Sequence, residues 1–471
     1  MKKLKVLLAA AAVLICSNAF AEMLSIDDYM NLVVKNNADL LAVQSNIDAV
    51  KGKIAEIERA YSFFFTIGGS YTDDQSGRPY SPAGLTTNEI KYTAYDASVS
   101  KQFGTGTKMS LGLNGAYSQN NTPAINYSYH DIAPAIKLEQ SLWKEFNGGA
   151  TKANIAKARA DAQSALWMLE YKKQSILLSA KMAYWSLSYT RTVVDFRQVS
   201  LDRTKKILEW NQTRYNKDLG EKADVLQSQA AYQLRALNLK LSKEDQARAE
   251  RTFNNYLNSS EDRVLYDVSD FTKVSDAYIS GKTITRKGQR ADLLSALSDA
   301  ESAKYAAVAS GKNMGADLVL SGQYSLNGVD AAFGTAKDYI LNADKPAWTV
   351  ALRYTLPLDF SLRGKISQGY QSAITAAQKT ADAAKVREEN AWQQLVADWN
   401  NAKTRYELVQ NIKEIQYQTS VETQNLLNKG RSTTYLVLQS QQNLDDATLN
   451  VFQSILELIS IYEQANTLYK N

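Results

Sequence analysis

The chain has 471 residues, with 54 Lys and Arg against 49 Asp and Glu and a formal charge of +5, which gives no electrostatic reason to expect a nucleic-acid partner. One cysteine, Cys16, and one histidine, His130, leave no disulfide framework and no Cys/His metal cluster to consider. The length permits two or three domains or one large elongated one, and the 45% of hydrophobic residues can fill a sizeable core.

Lys2, Lys3 and Lys5 precede an apolar run from Val6 to Ile15, and Asn18-Ala19-Phe20-Ala21 fits the small-residue cleavage rule. Residues 1–21 are therefore predicted to be an export signal, with the mature chain beginning at Glu22. The bulk of Ile15 makes Cys16 a poor lipidation site. Losing the three leader lysines would lower the charge to +2 and leave no thiol. Beyond residue 21 no stretch suits a spanning helix: residues 176–187 are broken by Lys181, and residues 451–461 by Gln453 and Glu457. A membrane span would have to be made of strands.

The first helical rhythm is Val43, Ile47, Val50, Ile54, Ile57 and Tyr61, spaced four and three as in a coiled-coil seam. The period then drops to two. Phe63, Phe65, Ile67, Gly69 and Tyr71 alternate with smaller or polar residues. Met109, Leu111, Leu113 and Tyr117 do the same, as do Ile136, Leu138 and Leu142. Residues 92–103 and 108–118 read as a hairpin turning at Gly104-Thr105-Gly106. The connections 74–91 and 119–131, rich in Tyr, Asn, Ser and Pro, read as longer loops. Strands with one apolar face are the spanning unit of an outer-membrane barrel, and a soluble sheet with one buried face would show the same pattern.

All six prolines lie at 79, 82, 123, 134, 346 and 357, so the proline-free stretches 135–345 and 358–471 are expected to be mostly helical. A run from 150 to 216 would be roughly 100 Å long. Within 316–358 two more alternating strands appear, Leu318 to Leu326 and Trp348 to Leu356, and Val451, Ile455, Leu458, Tyr462, Ala465 and Tyr469 restore the narrow helical seam.

The unit occurs twice. Ala38-Asp39-Leu40-Leu41 matches Ala291-Asp292-Leu293-Leu294 at an offset of 253, which also carries Gly69 onto Gly322 and Tyr71 onto Tyr324. Leu138 and Leu142 pair with Leu352 and Leu356 at 214, and Val225 to Gln229 with Val437 to Gln441 at 212. The contraction assigns the additional hairpin to the first copy. The predicted division is a first repeat over 22–258, with strands about 63–143 and a tip at 215–226; a linker over 259–287; and a second repeat over 288–471, with strands about 316–358 and a tip at 427–439.

This order of elements resembles the TolC-like outer-membrane efflux and secretion factors over essentially the whole mature chain. The local marks are Leu138 to Leu142 before Gly148-Gly149, Arg214-Tyr215-Asn216, Ala223 to Leu226, and Asn428-Lys429-Gly430. The resemblance implies a mixed, mainly α fold of long coiled-coil helices and short antiparallel strands. Three copies would form an outer-membrane β-barrel continued by a periplasmic α-helical barrel. It implies a passive exit duct for efflux or type I secretion, gated at the helical tips and coupled to a periplasmic adaptor and an inner-membrane transporter, with no enzymatic activity and no cofactor. Its norm is four strands per copy and twelve per trimer; a hairpin joining the wall would give six and eighteen.

The resemblance places gate residues at Asp224, Arg431, Ser432, Leu436 and Gln439. Leu436 and Gln439 stand where two aspartates would form acidic rings, which suggests an apolar constriction closing by dewetting, or simple packing of Leu436 in a seam. Ser432 holds the latch-arginine position, with Arg431 one residue earlier as a possible partner for Asp224.

His130, in a Tyr-rich stretch beside Asp131, is expected to be a surface loop residue. Trp143 and Trp348, at strand ends, fit interfacial anchors or core packing. A periplasmic coiled-coil adaptor or chaperone would explain the heptads and leave the repeated strands without purpose; an exported hydrolase lacks a catalytic constellation.

Overall fold

The computed structural model describes residues 23–76, 78–79, 86–87, 89–121, 126–273, 282–358 and 360–469. The predicted leader, with Cys16, lies outside these residues, as do Pro82 and Pro123. Strands in chain order are β1 (Met23–Leu24), β2 (Phe63–Asp74), β3 (Arg78–Pro79), β4 (Thr86–Thr87), β5 (Glu89–Gln102), β6 (Thr107–Asn121), β7 (Asn126–Ser141), β8 (Asp267–Val268), β9 (Asp317–Leu326), β10 (Gly328–Asp330) and β11 (Pro346–Thr355). Helices are α1 (Ile26–Asn36), α2 (Ala38–Glu58), α3 (Gly149–Tyr215), α4 (Lys222–Tyr256), α5 (Ala291–Met314), α6 (Phe333–Leu341), α7 (Phe360–Asn428) and α8 (Thr434–Leu468). The fold is mainly helical with antiparallel strands, as the sequence pattern requires.

The duplication is visible element by element. α3 and α7 have 67 and 69 residues, and α4 and α8 have 35 each. β5 and β6 have no counterpart in the second copy, whose own addition is β10 followed by α6.

Two compact units are present, one of Ser45–Glu170 with Ala291–Glu388, the other of the chain up to Gln44, Tyr171–Arg290 and Glu389–Asn471. The first holds a large sheet ordered β11-β9-β7-β6-β5-β2, with β10 beside β7, and the separate β3–β4 pair. All pairings of the large sheet are antiparallel. The hairpin of β5 and β6 is thus an internal part of this sheet. Its turn is fixed by Gly106 at φ 83°, where a Cβ would fall 1.8 Å from the Glu145 carbonyl oxygen, so only glycine lets the turn approach the strand-to-helix junction. Gln140 reinforces this, accepting from the Thr107 hydroxyl at 2.6 Å.

Two expectations need correction here. The loop expected over 119–131 is largely strand, because β6 runs to Asn121 and β7 starts at Asn126; aromatic residues such as Tyr127 and Tyr129 favour the pleated surface. His130 accordingly lies in a strand, paired with Tyr117 across the ladder, its ring 4.7 Å from that of Tyr117 and edge-on to Phe333 at 5.6 Å. The other expected loop, 74–91, contains the short β3–β4 pair and the start of β5.

The second unit is built on an aromatic core. Tyr29 stacks on Phe253 with centroids 4.1 Å apart and donates to the Phe253 carbonyl at 3.1 Å, and burial pushes its phenol pKa up. Tyr184, Trp185, Leu458 and Ile459 are fully enclosed beside it. Trp185 and Trp399, which the repeat matches at the offset of 214, both enter this core. Here α8 departs from the expected narrow seam. Ser454, Ile455, Leu458, Ile459 and Ile461 are all buried, a band too wide for a two-helix contact.

Candidate functional site

The sheet has two chemically opposite faces. Because cross-strand partners share a face, the ladders place Phe65, Val99, Leu111, Ile136, Tyr324 and Trp348 in one continuous row. The row beside it is Phe63, Lys101, Met109, Leu138, Gly322 and Val350. Most of these large apolar side chains are exposed. The other face carries small and polar groups: Ser98, Gly112, Ala135, Ser325 and Ala347 are successive partners across five strands. An exposed apolar band of this extent on a sheet with a polar reverse side marks a surface made for a nonpolar environment. Trp143 and Trp348 are both well exposed, Trp143 edge-on to Tyr354 at 5.7 Å, so neither is a core residue of this chain. Among the described residues no helix is long and apolar enough to cross a membrane.

The tips lie in the second unit. α3 ends in a Schellman turn: the Leu219 N–H donates to the Arg214 carbonyl at 2.9 Å and the Asp218 N–H to the Tyr215 carbonyl at 3.0 Å. α7 ends the same way, with Arg431 N–H to Leu426 O at 2.8 Å and Gly430 N–H to Leu427 O at 2.9 Å. Asp218 and Gly430, equivalent at the offset of 212, both have positive φ, 57° and 70°. Arg214 closes the first turn by donating to the Leu219 carbonyl at 2.8 Å while lying over Trp210. Ile207, Leu427 and Val437 form the small core beneath the tips.

Asp224 sits half-buried in the first turn of α4, where an acidic side chain suits the helix dipole. Leu436 occupies the equivalent position of α8; its N–H is capped by Thr433 Oγ1 at 3.3 Å and its side chain is exposed. Val437, not Leu436, fills the seam within the chain. Arg431 is exposed, Ser432 half-buried, and Gln439 exposed with its amide donating to Asn443 at 3.0 Å. Among the described residues no ion pair joins Asp224 to Arg431. The Asp224 carbonyl accepts instead from the Ser228 hydroxyl at 2.8 Å.

Two polar clusters near the tips escaped the sequence reading. Asn211, buried in the last turns of α3, accepts from the Thr434 hydroxyl at 3.2 Å and donates to the Asp224 carbonyl at 3.5 Å. One side chain thereby touches the starts of α4 and α8. Further along, Asp445 is enclosed between Ser200, Arg203 and Arg235, with the Arg235 Nε at 3.2 Å and an Arg203 Nη at 3.4 Å. Burial lowers the Arg235 pKa, and Asp445 opposes that shift. Among the described residues no group of three His, Cys, Asp or Glu side chains is arranged to hold a metal.

No family model matches the chain, and no characterised protein matches it by sequence. Solved structures do match it in fold. The channel CusC is 10% identical with a TM-score of 0.65, covering 96% of this chain and 93% of that one. The Campylobacter jejuni CmeC outer membrane channel is 13% identical with a TM-score of 0.60, covering 94% and 85%. The outer membrane protein VceC of Vibrio cholerae is 14% identical with a TM-score of 0.61, covering 93% and 95%. The chain therefore has the fold of outer-membrane channels over nearly its whole length.

Proposed function

We propose that this chain is one of three identical protomers of an outer-membrane channel of a Gram-negative cell, extending into the periplasm and serving as the passive exit duct of a tripartite efflux pump or type I secretion system. The observation that carries this reading is the unbroken apolar row from β2 to β11, with polar groups on the reverse face. Such a sheet satisfies its backbone groups between strands and offers lipid its apolar side, which is what a nonhelical span demands. The fold shared with an outer membrane channel and an outer membrane protein supports it. The chain itself supplies no energy; a periplasmic adaptor and an inner-membrane transporter do so.

The tips are the gate of this duct. Asp224, Arg431, Ser432, Leu436 and Gln439 stand around the two helical turns, and the exposed Leu436 of each copy narrows the passage as an apolar ring. The test is the conductance of the purified protein in planar bilayers. Discrete steps are expected from wild type, more frequent in Leu436→Ala; a protein giving no steps in either form would not be a duct.

A further inference from the structure

The two outer strands of the sheet carry the marks of an unfinished wall. β2 and β11 are edges of 12 and 10 residues, each paired on one side only. Natural edges left open to solvent are blunted by lysines, internal prolines or bulges. β2 from Phe63 to Thr72 contains none of these, and β11 contains one charge, Arg353, and a proline only as its first residue. Both are also the barest strands. Ile67 and Phe65 on β2 are 74% and 69% exposed and Trp348 on β11 is 76%, whereas Ile136 in the same apolar row on β7 is 36%. Six strands are too few to close on themselves.

The hairpin between them is fully part of the sheet. β5 and β6, at 14 and 15 residues, are longer than either edge, and β6 pairs along β7 from Thr107 to Asn121. Their turn is locked onto the Glu145 carbonyl by Gly106. We propose that β2 of one copy pairs with β11 of the next, so that three copies close an eighteen-stranded barrel in which the six strands of the path β11-β9-β7-β6-β5-β2, including β5 and β6, line the wall. The inference rests on the three-copy channel reading above. Relative to a twelve-stranded wall, the barrel is about half again as wide, since diameter grows nearly linearly with strand number. Its inner face, set with groups such as Ser98, Gly112, Ala135 and Ala347, leaves that width open.

Cysteine pairs introduced into a Cys16→Ser chain and oxidised in isolated membranes test this. Thr66→Cys on β2 is combined in turn with Thr349→Cys, Ala351→Cys and Arg353→Cys on β11, all on the polar face. Asn114→Cys with Ala133→Cys reports the β6–β7 ladder, and Thr66→Cys with Ala133→Cys or Ala135→Cys reports a direct β2–β7 pairing. One β2–β11 combination is expected to yield a covalent ladder ending at the trimer, with the β6–β7 pair closing within the chain. An intrachain β2–β7 bond, or a β2–β11 ladder ending at the dimer, would overturn the eighteen-stranded wall. So would absence of any β2–β11 bond while the β6–β7 pair closes. The mass of the purified, unmodified complex separates these outcomes from failure of the trimer itself.

Discussion

The hydroxyl of Thr434 donates to Oδ1 of Asn211 at 3.2 Å, joining the first turn of α8 to the last turns of α3 through two buried side chains. Replacing Asn211 by alanine strands the Thr434 hydroxyl and leaves the Asp224 carbonyl with the Ser228 hydroxyl but without the Asn211 amide, a loss of about 1–3 kcal/mol. Asn211→Ala should therefore raise amide exchange at the starts of α4 and α8 by about tenfold or more, with the aromatic core around Tyr184 unaffected. Unchanged exchange at both helix starts would show that Asn211 does not tie the tips.

Asp445 and Arg235 form a buried ion pair, with side chains 1% and 4% exposed. Removing one partner leaves the other charged and enclosed, at a cost of about 3–5 kcal/mol. Asp445→Ala and Arg235→Ala should each lower the thermal unfolding midpoint of the purified protein markedly. The double variant Asp445→Leu with Arg235→Met should lose less than either.

The two tips use the same turn with different residues at the left-handed position, Asp218 in one and Gly430 in the other. Nothing lies within 4 Å of a Cβ added to Gly430, so Gly430→Ala suffers only backbone strain, about 1 kcal/mol. Asp218→Gly relieves the smaller strain of an aspartate. Exchange at residues 429–433 should quicken several-fold in the first variant, and exchange at 216–221 should slow or hold in the second. The same sign at both turns would contradict their equivalence.

Leu436 is exposed while its neighbour Val437 is buried, so truncating Leu436 removes no intrachain core. Leu436→Ala should raise the open probability of single channels several-fold with little change in thermal stability. If stability falls and opening is unchanged, Leu436 packs rather than gates.

The features that were readable in the sequence are those dictated by backbone periodicity. Val43, Ile47, Val50, Ile54, Ile57 and Tyr61 are the less exposed residues of their helical stretch, and the turn at Gly104 to Gly106 joins β5 to β6. The repeat brought Trp185 and Trp399 to matching places because both serve one core. What escaped depends on partners distant in sequence. Asp445 carries no sequence mark of an interior residue; only Arg235, Arg203 and Ser200 on other helices make it one. Asn211 likewise reads as one polar residue in a charged helix end. Asn, Ser and Pro give the stretch around His130 a loop-like composition, but the Tyr117 and Asp330 partners draw that segment into the sheet. α6 falls between the two alternating strands of the second copy; its nine residues are held by Ala336, which packs so closely on Gly328 that a Cβ there would lie 1.9 Å from the Ala336 carbonyl oxygen.

The most direct test of the channel account is where the protein resides. Membranes from producing cells, separated by density, should carry it in the outer-membrane fraction, resistant to salt and alkaline extraction, with the sheet unit protected from protease. Recovery in the soluble periplasmic fraction would contradict the account, because an apolar face running from Phe65 to Trp348 would then have no lipid to meet.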